Sequence, residues 1–388
     1  MRLAVFSHKT CWISSESASG YATDGGFAFQ MRAISELFSS TRLVIPCSES
    51  AAGEGLNHLT GRNISVTPLN DIPGTGLRRK INLFFWLFRS SAILVRELRR
   101  ADAVHTPIPS DIGTVAMLLA FVFRKPLFVR HCGNWLVQKT VAERFWKWFM
   151  ERFAGGRNVM LATGGSEASP SRLNANIHWI FSTSLSEQEL DELRQFRRNL
   201  RDGRARLIIA CRQEEAKGTG RVIQSLPLIL NDFRNATLDV VGDGSALTKF
   251  KKVAAELQLS ERVTFHGRLD HAGVIRLLQR ADLFCFPTTA SEGFPKVVLE
   301  ALACGLPVIT TRVSVLPLLI QNGCGLLIEE KTPMAVAQAI TKCLADQEDY
   351  RRMSAQASAT AGQFSLERWR DTIGDFLREA WGPLRSDA

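Results

Sequence analysis

An alternation that runs twice along the chain constrains its fold more than any other feature. In the first half, short apolar runs of strand length ("RLAVFS", "TRLVIPC", "ISVTPL", "ADAVHTPI", "KPLFVRH" and "NVMLAT") are separated by longer helix-like stretches. The second half starts the pattern again with "ARLIIAC", "ATLDVVGDG", "RVTFHGR", "ADLFCFPT", "LPVITT" and "CGLLIEE". Apolar strands alternating with amphipathic helices build a parallel sheet covered on both faces. The chain has 388 residues, enough for two domains of about 150 to 200 each. The prediction is therefore two Rossmann-like, doubly wound parallel-sheet α/β domains facing a central cleft. Residues 1-184 form the first and 185-365 the second, with 366-388 a C-terminal helix and tail packing back on the first. The charged segment "LSEQELDELRQFRRNLRDGR" reads as the helix and linker between them.

Composition removes several alternatives. The eight cysteines are scattered singly with no C-x-x-C, which signals neither a zinc ribbon nor a disulfide framework. A reduced, cytoplasmic setting is expected. The N-terminal "MRLAVFSHK" is too short for the apolar region of a signal peptide and reads as a first buried strand. The apolar run from Ile112 to Phe123 falls short of the roughly 18 to 20 residues that span a bilayer. The net charge of +10 is uneven: residues 1-184 carry 21 Lys+Arg against 12 Asp+Glu, and residues 185-388 carry 27 against 26.

Ligands of open α/β sheets bind beyond the carboxyl ends of the strands, where loops and helix N-termini present unpaired N–H groups. Three such places stand out in the second half. After "LIIAC" come Arg212 and, five residues on, Lys217. After "LDVV" comes the turn Gly242-Asp243-Gly244. After "LFCFPT" comes "TTASEGFPKVVLEALACG", with Glu292 and Glu300 eight positions apart. Pro295 suits the first position of a helix, Gly293 permits close approach of backbone to a ligand, and amides near Phe294 would face an anion. The two carboxylates could be a catalytic pair, the grip of a ligand site or solvated charges. A glycosidase pair is disfavoured, because such groups stand roughly 5 to 9.5 Å apart and eight helical positions span about 12 Å. No D-x-D metal motif is present, and no metal or other cofactor is expected.

Taken together these residues resemble the retaining glycosyltransferases of family 4, glycosyl transferases group 1, which have the GT-B fold. The likeness is strong from about Leu207 to Leu327 and collinear before that. "SEGFPKVVLEALACGLPVI" looks like the family's E-x7-E motif, and "CRQEEAKG" matches its Arg and Lys that bind the donor diphosphate. "LDVVGDG" and "VTFHGRL" fall on its strand turn and base-contacting strand, which adds Gly242, Gly267 and Arg268 to the donor set. "DGGFAFQMRAISELF" resembles the glycine-rich loop that nears the donor phosphates through Gly25 and Gly26. "KPLFVRHCGNW" ends its strand on His131, where the family often has an active-site His. The chain departs from the pattern at Cys211 and Ala216, where Gly and Glu are usual, and lacks the Pro-Asn-Gly turn at the domain junction.

The resemblance implies a metal-independent, retaining hexosyltransferase acting in surface polysaccharide or glycolipid assembly. It would use a nucleotide diphosphate sugar as co-substrate and a glycan or lipid-linked saccharide as acceptor. Glu300 would hold the ribose, Glu292 would meet the donor sugar, and Arg212 with Lys217 would clamp the diphosphate. A nucleotide-sugar epimerase and a non-catalytic nucleotide-sugar-binding protein are the competing readings. Two basic, aromatic segments, residues 77-100 and 143-153, read either as helices packed on the sheet or as contacts to an anionic membrane on the inner face of the plasma membrane. Nucleic acid is not expected as a partner, since no helix-turn-helix, RNP or zinc motif accompanies the charge.

Overall fold

The computed structural model describes residues 1–51, 55–74, 76–166, 168–195, 204–290 and 292–385. Residues 196–203 of the charged linker segment and Ser291 of the acidic motif lie outside them. The chain divides into two compact units, Met1–Phe181 with Leu366–Ala388, and Ser182–Ser365. The division falls three residues before the sequence-based boundary, between Phe181 and Ser182.

Unit 1 contains strands β1 (Arg2–Phe6), β2 (Cys11–Ile13), β3 (Tyr21–Thr23), β4 (Ser40–Ala51), β5 (Asn57–His58), β6 (Ile64–Leu69), β7 (Ala103–Ile108), β8 (Leu127–His131), β9 (Asn158–Thr163) and β10 (Ile177–Ile180). Its helices are α1 (Phe27–Ser35), α2 (Gly76–Arg100), α3 (Asp111–Val122) and α4 (Val141–Phe153), joined by the C-terminal helix Leu366–Trp381. The sheet runs β10-β9-β8-β7-β1-β4, and β6 also pairs with β4. The expectation of a purely parallel sheet needs one correction. β4 continues past Pro46 to pair with β2, and β2, β3 and β5 form an antiparallel extension.

Strands buried on both faces explain the continuous apolar runs, as in β7 and β8, where every residue is buried. Alternation then sorts side chains to two layers. Leu3 and Val5 face α1 and the C-terminal helix, whose Trp369, Ile373 and Leu377 complete that core. Ala4 and Phe6 face α2, α3 and α4.

Unit 2 is a six-stranded parallel sheet of β11 (Arg206–Ala210), β12 (Thr237–Val241), β13 (Val263–Gly267), β14 (Leu283–Phe286), β15 (Val308–Thr311) and β16 (Gly325–Ile328) among the described residues. Helices α5 (Glu187–Arg194), α6 (Thr219–Ile229), α7 (Leu247–Glu256), α8 (His271–Arg280), α9 (Lys296–Ala303), α10 (Leu316–Ile320), α11 (Pro333–Leu344) and α12 (Gln347–Ala361) accompany it. The order β13-β12-β11-β14-β15-β16 is that of a Rossmann sheet. Strand order reverses between β11 and β14, so the crevice for a ligand opens beyond the carboxyl ends of those two strands.

Candidate donor site

The loops that leave β11 and β14 meet at that reversal. After β11 the chain makes one turn of 3-10 helix, Glu215–Lys217, and enters α6 through Gly218 at φ +93°. A Cβ on Gly218 would lie 2.5 Å from the Pro287 carbonyl oxygen, so glycine is what lets the β11 loop pass this close to the end of β14. The passage brings Lys217 against the acidic motif. Lys217 Nζ lies 2.6 Å from Glu292 Oε1, with side chains only 19% and 10% exposed. The Thr288 hydroxyl donates to the same oxygen at 3.1 Å.

Gln213, buried beside Arg212, ties the β11 loop to the turn after β12. Its Nε2 donates to Val241 O at 2.9 Å and Cys211 O at 3.1 Å, and its Oε1 accepts from Thr219 at 2.7 Å. The turn glycines are needed for the same closeness: a Cβ on Gly242 would stand 2.0 Å from Cys211 O, and one on Gly244 2.4 Å from Gln213 O. Gly242 N donates to Gly267 O at 2.7 Å, which joins the ends of β12 and β13. Arg268 follows in an exposed position. Arg212 also faces solvent, its side chain 74% exposed and 3.4 Å from Glu214. Lys217 is thus brought onto Glu292, while Arg212 stands outside that contact.

Glu300 is held by a different set of groups. It is buried in α9 with Val298, Leu299 and Ala301. The Ser184 hydroxyl donates to its Oε1, and His271 Nδ1 lies 3.6 Å from the same atom. The other ring nitrogen of His271 is 3.4 Å from Glu189 Oε1. Burial on its own lowers the His271 pKa, but the Glu189 hydrogen bond and the charges of Glu300, Glu189 and Asp270 outweigh it and raise the value. His271 thus stands between two carboxylates, Glu300 and Glu189. Among the described residues the two glutamates have different side-chain partners.

Two local expectations change. Pro295 caps α9 from the position before its first residue, at ψ +100°, and does not start the helix itself. Phe294 is buried, 5.9 Å from the Phe364 ring centroid, so its side chain serves packing while its backbone leads into the helix.

In unit 1, Gly25 at φ +64° and the N-cap Gly26 lead directly into α1. His131 ends β8, buried, with its ring edge-on to Trp135 at 5.4 Å. Burial pushes its pKa down to about 4, against smaller raising effects from the Gly133 backbone and Glu143, so the imidazole is neutral. Ser184, Gln213, His271 and Thr288 were not picked out from the sequence. Thr288, within "FCFPTTASE", had the nearest signal; Ser184 and Glu300 are 116 positions apart.

The protein is of the GT-B class. Along nearly its whole length it superposes on the structure of Anabaena HepE in complex with UDP, with a TM-score of 0.69 at 18% identity over 98% of this chain and 100% of that one. It also superposes on WaaG, a glycosyltransferase involved in lipopolysaccharide biosynthesis, with a TM-score of 0.61 at 15% identity over 97% and 99%. Residues 191–360, less than half of the chain, match the family of glycosyl transferases group 1. It is 36% identical over 149 residues to the N-acetyl-alpha-D-glucosaminyl L-malate synthase of Bacillus anthracis, a stretch covering 38% of each chain. It is 29% identical over 178 residues to a GDP-mannose-dependent phosphatidylinositol monomannoside mannosyltransferase of Corynebacterium glutamicum, covering 44% of this chain and 45% of that one. The alignments thus span less than half the length of these relatives.

Proposed function

We propose that the protein is a retaining glycosyltransferase that moves a hexose from a nucleotide diphosphate sugar to a glycan or lipid-linked saccharide in surface polysaccharide or glycolipid biosynthesis. The observation that carries this reading is the meeting of Lys217 and Glu292 at the strand-order reversal of unit 2, with Glu300 held separately by Ser184 and His271. In this reading Glu300 Oε2 accepts from a ribose hydroxyl, and Glu292 faces the hydroxyls of the donor sugar. The bond from the anomeric carbon to the diphosphate breaks as the acceptor oxygen bonds to the same face, and the acceptor proton passes to the departing diphosphate. Lys217, Arg212 and the amides at the start of α9 stabilise the charge that grows on the leaving group, a role fixed cations and dipoles fill without a metal. The relatives' names, which include GDP-mannose-dependent and phosphatidylinositol-directed enzymes, favour a lipid-linked acceptor.

The test is a saturation-transfer NMR panel of UDP and GDP sugars with Glu300→Ala as the control, followed by product analysis. Binding lost in Glu300→Ala, turnover lowered about 10² to 10³-fold in Lys217→Ala, and a product with the donor's anomeric configuration are expected. Binding without turnover would make the protein a nucleotide-sugar receptor, and an inverted linkage would refute retention.

A further inference from the structure

The three helices covering the second face of the unit 1 sheet turn apolar side chains outward as well as inward. In α2, Trp86, Leu94 and Leu98 are buried in the core, yet Phe84, Phe85 and Phe88 are 57%, 59% and 70% exposed. The Phe84 ring pairs edge-on with Phe85 and Phe88, at centroid distances of 5.8 and 5.0 Å. Neighbouring helices extend the surface. α3 packs on α2, with Arg99 5.8 Å over the Phe123 ring, and presents exposed Val122. α4 is tied to α3 by the Trp146 indole, which donates to Thr114 at 2.8 Å, and presents exposed Trp148. Singly exposed apolar residues are ordinary, but a grouped aromatic surface on adjoining helices marks a contact site.

Charge says what the contact is. Residues 76–153 carry 14 Lys+Arg against 5 Asp+Glu, a net +9, which equals the whole excess of residues 1–184. All five acids are already engaged within the protein: Glu97 is buried 2.9 Å from Arg96, Asp111 lies 2.7 Å from Arg79 and Asp102 2.9 Å from Arg2, while Glu143 accepts from the Lys139 and Thr140 amides and Glu151 from the Ser171 hydroxyl. Exposed Arg78, Lys80 and Arg89 flank the phenylalanines. Among the described residues no helix is long and apolar enough to cross a membrane. Aromatic side chains at the acyl boundary with basic groups at headgroup level are the signature of a helix lying in an anionic interface.

We propose that the outward face of α2, with the adjoining surfaces of α3 and α4, docks on an anionic lipid bilayer, Phe84, Phe85 and Phe88 entering the interface while Arg78, Lys80 and Arg89 meet lipid phosphates. The inference does not depend on the donor-site reading, and its test contains no nucleotide sugar, so either can fail alone. The experiment is co-sedimentation of the full chain with vesicles of phosphatidylcholine alone and of phosphatidylcholine with phosphatidylglycerol. Binding to the anionic vesicles is expected, weakening as salt rises. The triple variant Phe84→Ser, Phe85→Ser, Phe88→Ser should lower the partition coefficient about 100-fold. Arg78→Gln with Arg89→Gln should flatten the salt dependence. All eight tryptophans lie in unit 1, so an unchanged tryptophan-fluorescence unfolding midpoint shows that the variants are folded. Equal pelleting with both vesicle types, or a triple variant that pellets like the wild type, overturns the proposal. So does a wild-type dimer that the triple variant converts to monomer, since that would assign the face to a second copy of the chain.

Discussion

Replacing Lys217 by Met removes a charge from the Lys217–Glu292 contact while keeping an apolar stem of similar length. The pair is 2.6 Å apart and both side chains are more than four-fifths buried, so solvent screens it weakly. At an effective dielectric of about 20, unit charges at this distance attract by about 6 kcal/mol, a ceiling that the cost of burying both ions reduces. Removing one partner of a buried pair costs about 3 to 5 kcal/mol, because the other charge remains buried and uncompensated. Glu292 keeps the Thr288 hydroxyl and some contact with water, which puts the expected cost at the lower end, about 3 kcal/mol. For a unit of the size of Ser182–Ser365, each kcal/mol shifts the midpoint by about 2 to 4 °C, so a drop of about 6 to 12 °C is expected in scanning calorimetry. Adding Glu292→Gln removes the orphaned charge and should recover more than half of that loss. A drop of less than about 2 °C, or a double variant whose loss is simply the sum of the single losses, would refute the reasoning.

Three further outcomes follow from the same geometry. Ser184→Ala deletes the hydroxyl that donates to Glu300 Oε1 and should weaken nucleotide-sugar binding about tenfold by calorimetry; unchanged affinity would detach Ser184 from the site. Gly218→Ala combines φ +93° with a 2.5 Å approach to Pro287 O and should cost at least about 2 kcal/mol in urea unfolding, whereas Gly267→Ala, at φ +65° with nothing within 4 Å, should cost about half as much. The buried histidines should give the two units opposite responses to pH. The His271 pKa is raised above 6.5, so its contribution to unit 2 is full below 6.5 and is lost as pH rises through the folded value; His271→Gln should abolish that loss. His131 and His105 are lowered by burial to about 4 and about 3, so the unfolded chain takes up their protons first. Unit 1 should therefore weaken as pH falls from 6.5 towards 4, read as a falling tryptophan-fluorescence midpoint; a midpoint constant over that range would contradict both assignments.

The elements that sequence pattern resolved are parallel strands of four or more residues, long enough for an apolar run to show. Those it passed over are β2, β3 and β5, two or three residues each, where alternation has no room to show, and the edge strand β10, "IHWI", in which His178 interrupts the run. The site divides in the same way. Glu292, Glu300, Arg212 and Lys217 were legible as residue types at motif spacing, but their partners were not, because strand order alone brings Lys217 to a carboxylate 75 positions away. That pairing changes the electrostatics inferred from the motif. In the proposed donor site an entering diphosphate would meet a lysine already paired with Glu292, so Lys217 would gain less from the ligand than a free cation. Arg212 is differently placed: its exposed contact with Glu214 is of a kind worth at most about 1 kcal/mol, so in that proposed site turning to the diphosphate would cost it little. In the proposed donor site Lys217 would then set the position of Glu292 as well as face the diphosphate, and Arg212 would supply most of the charge that answers the leaving group.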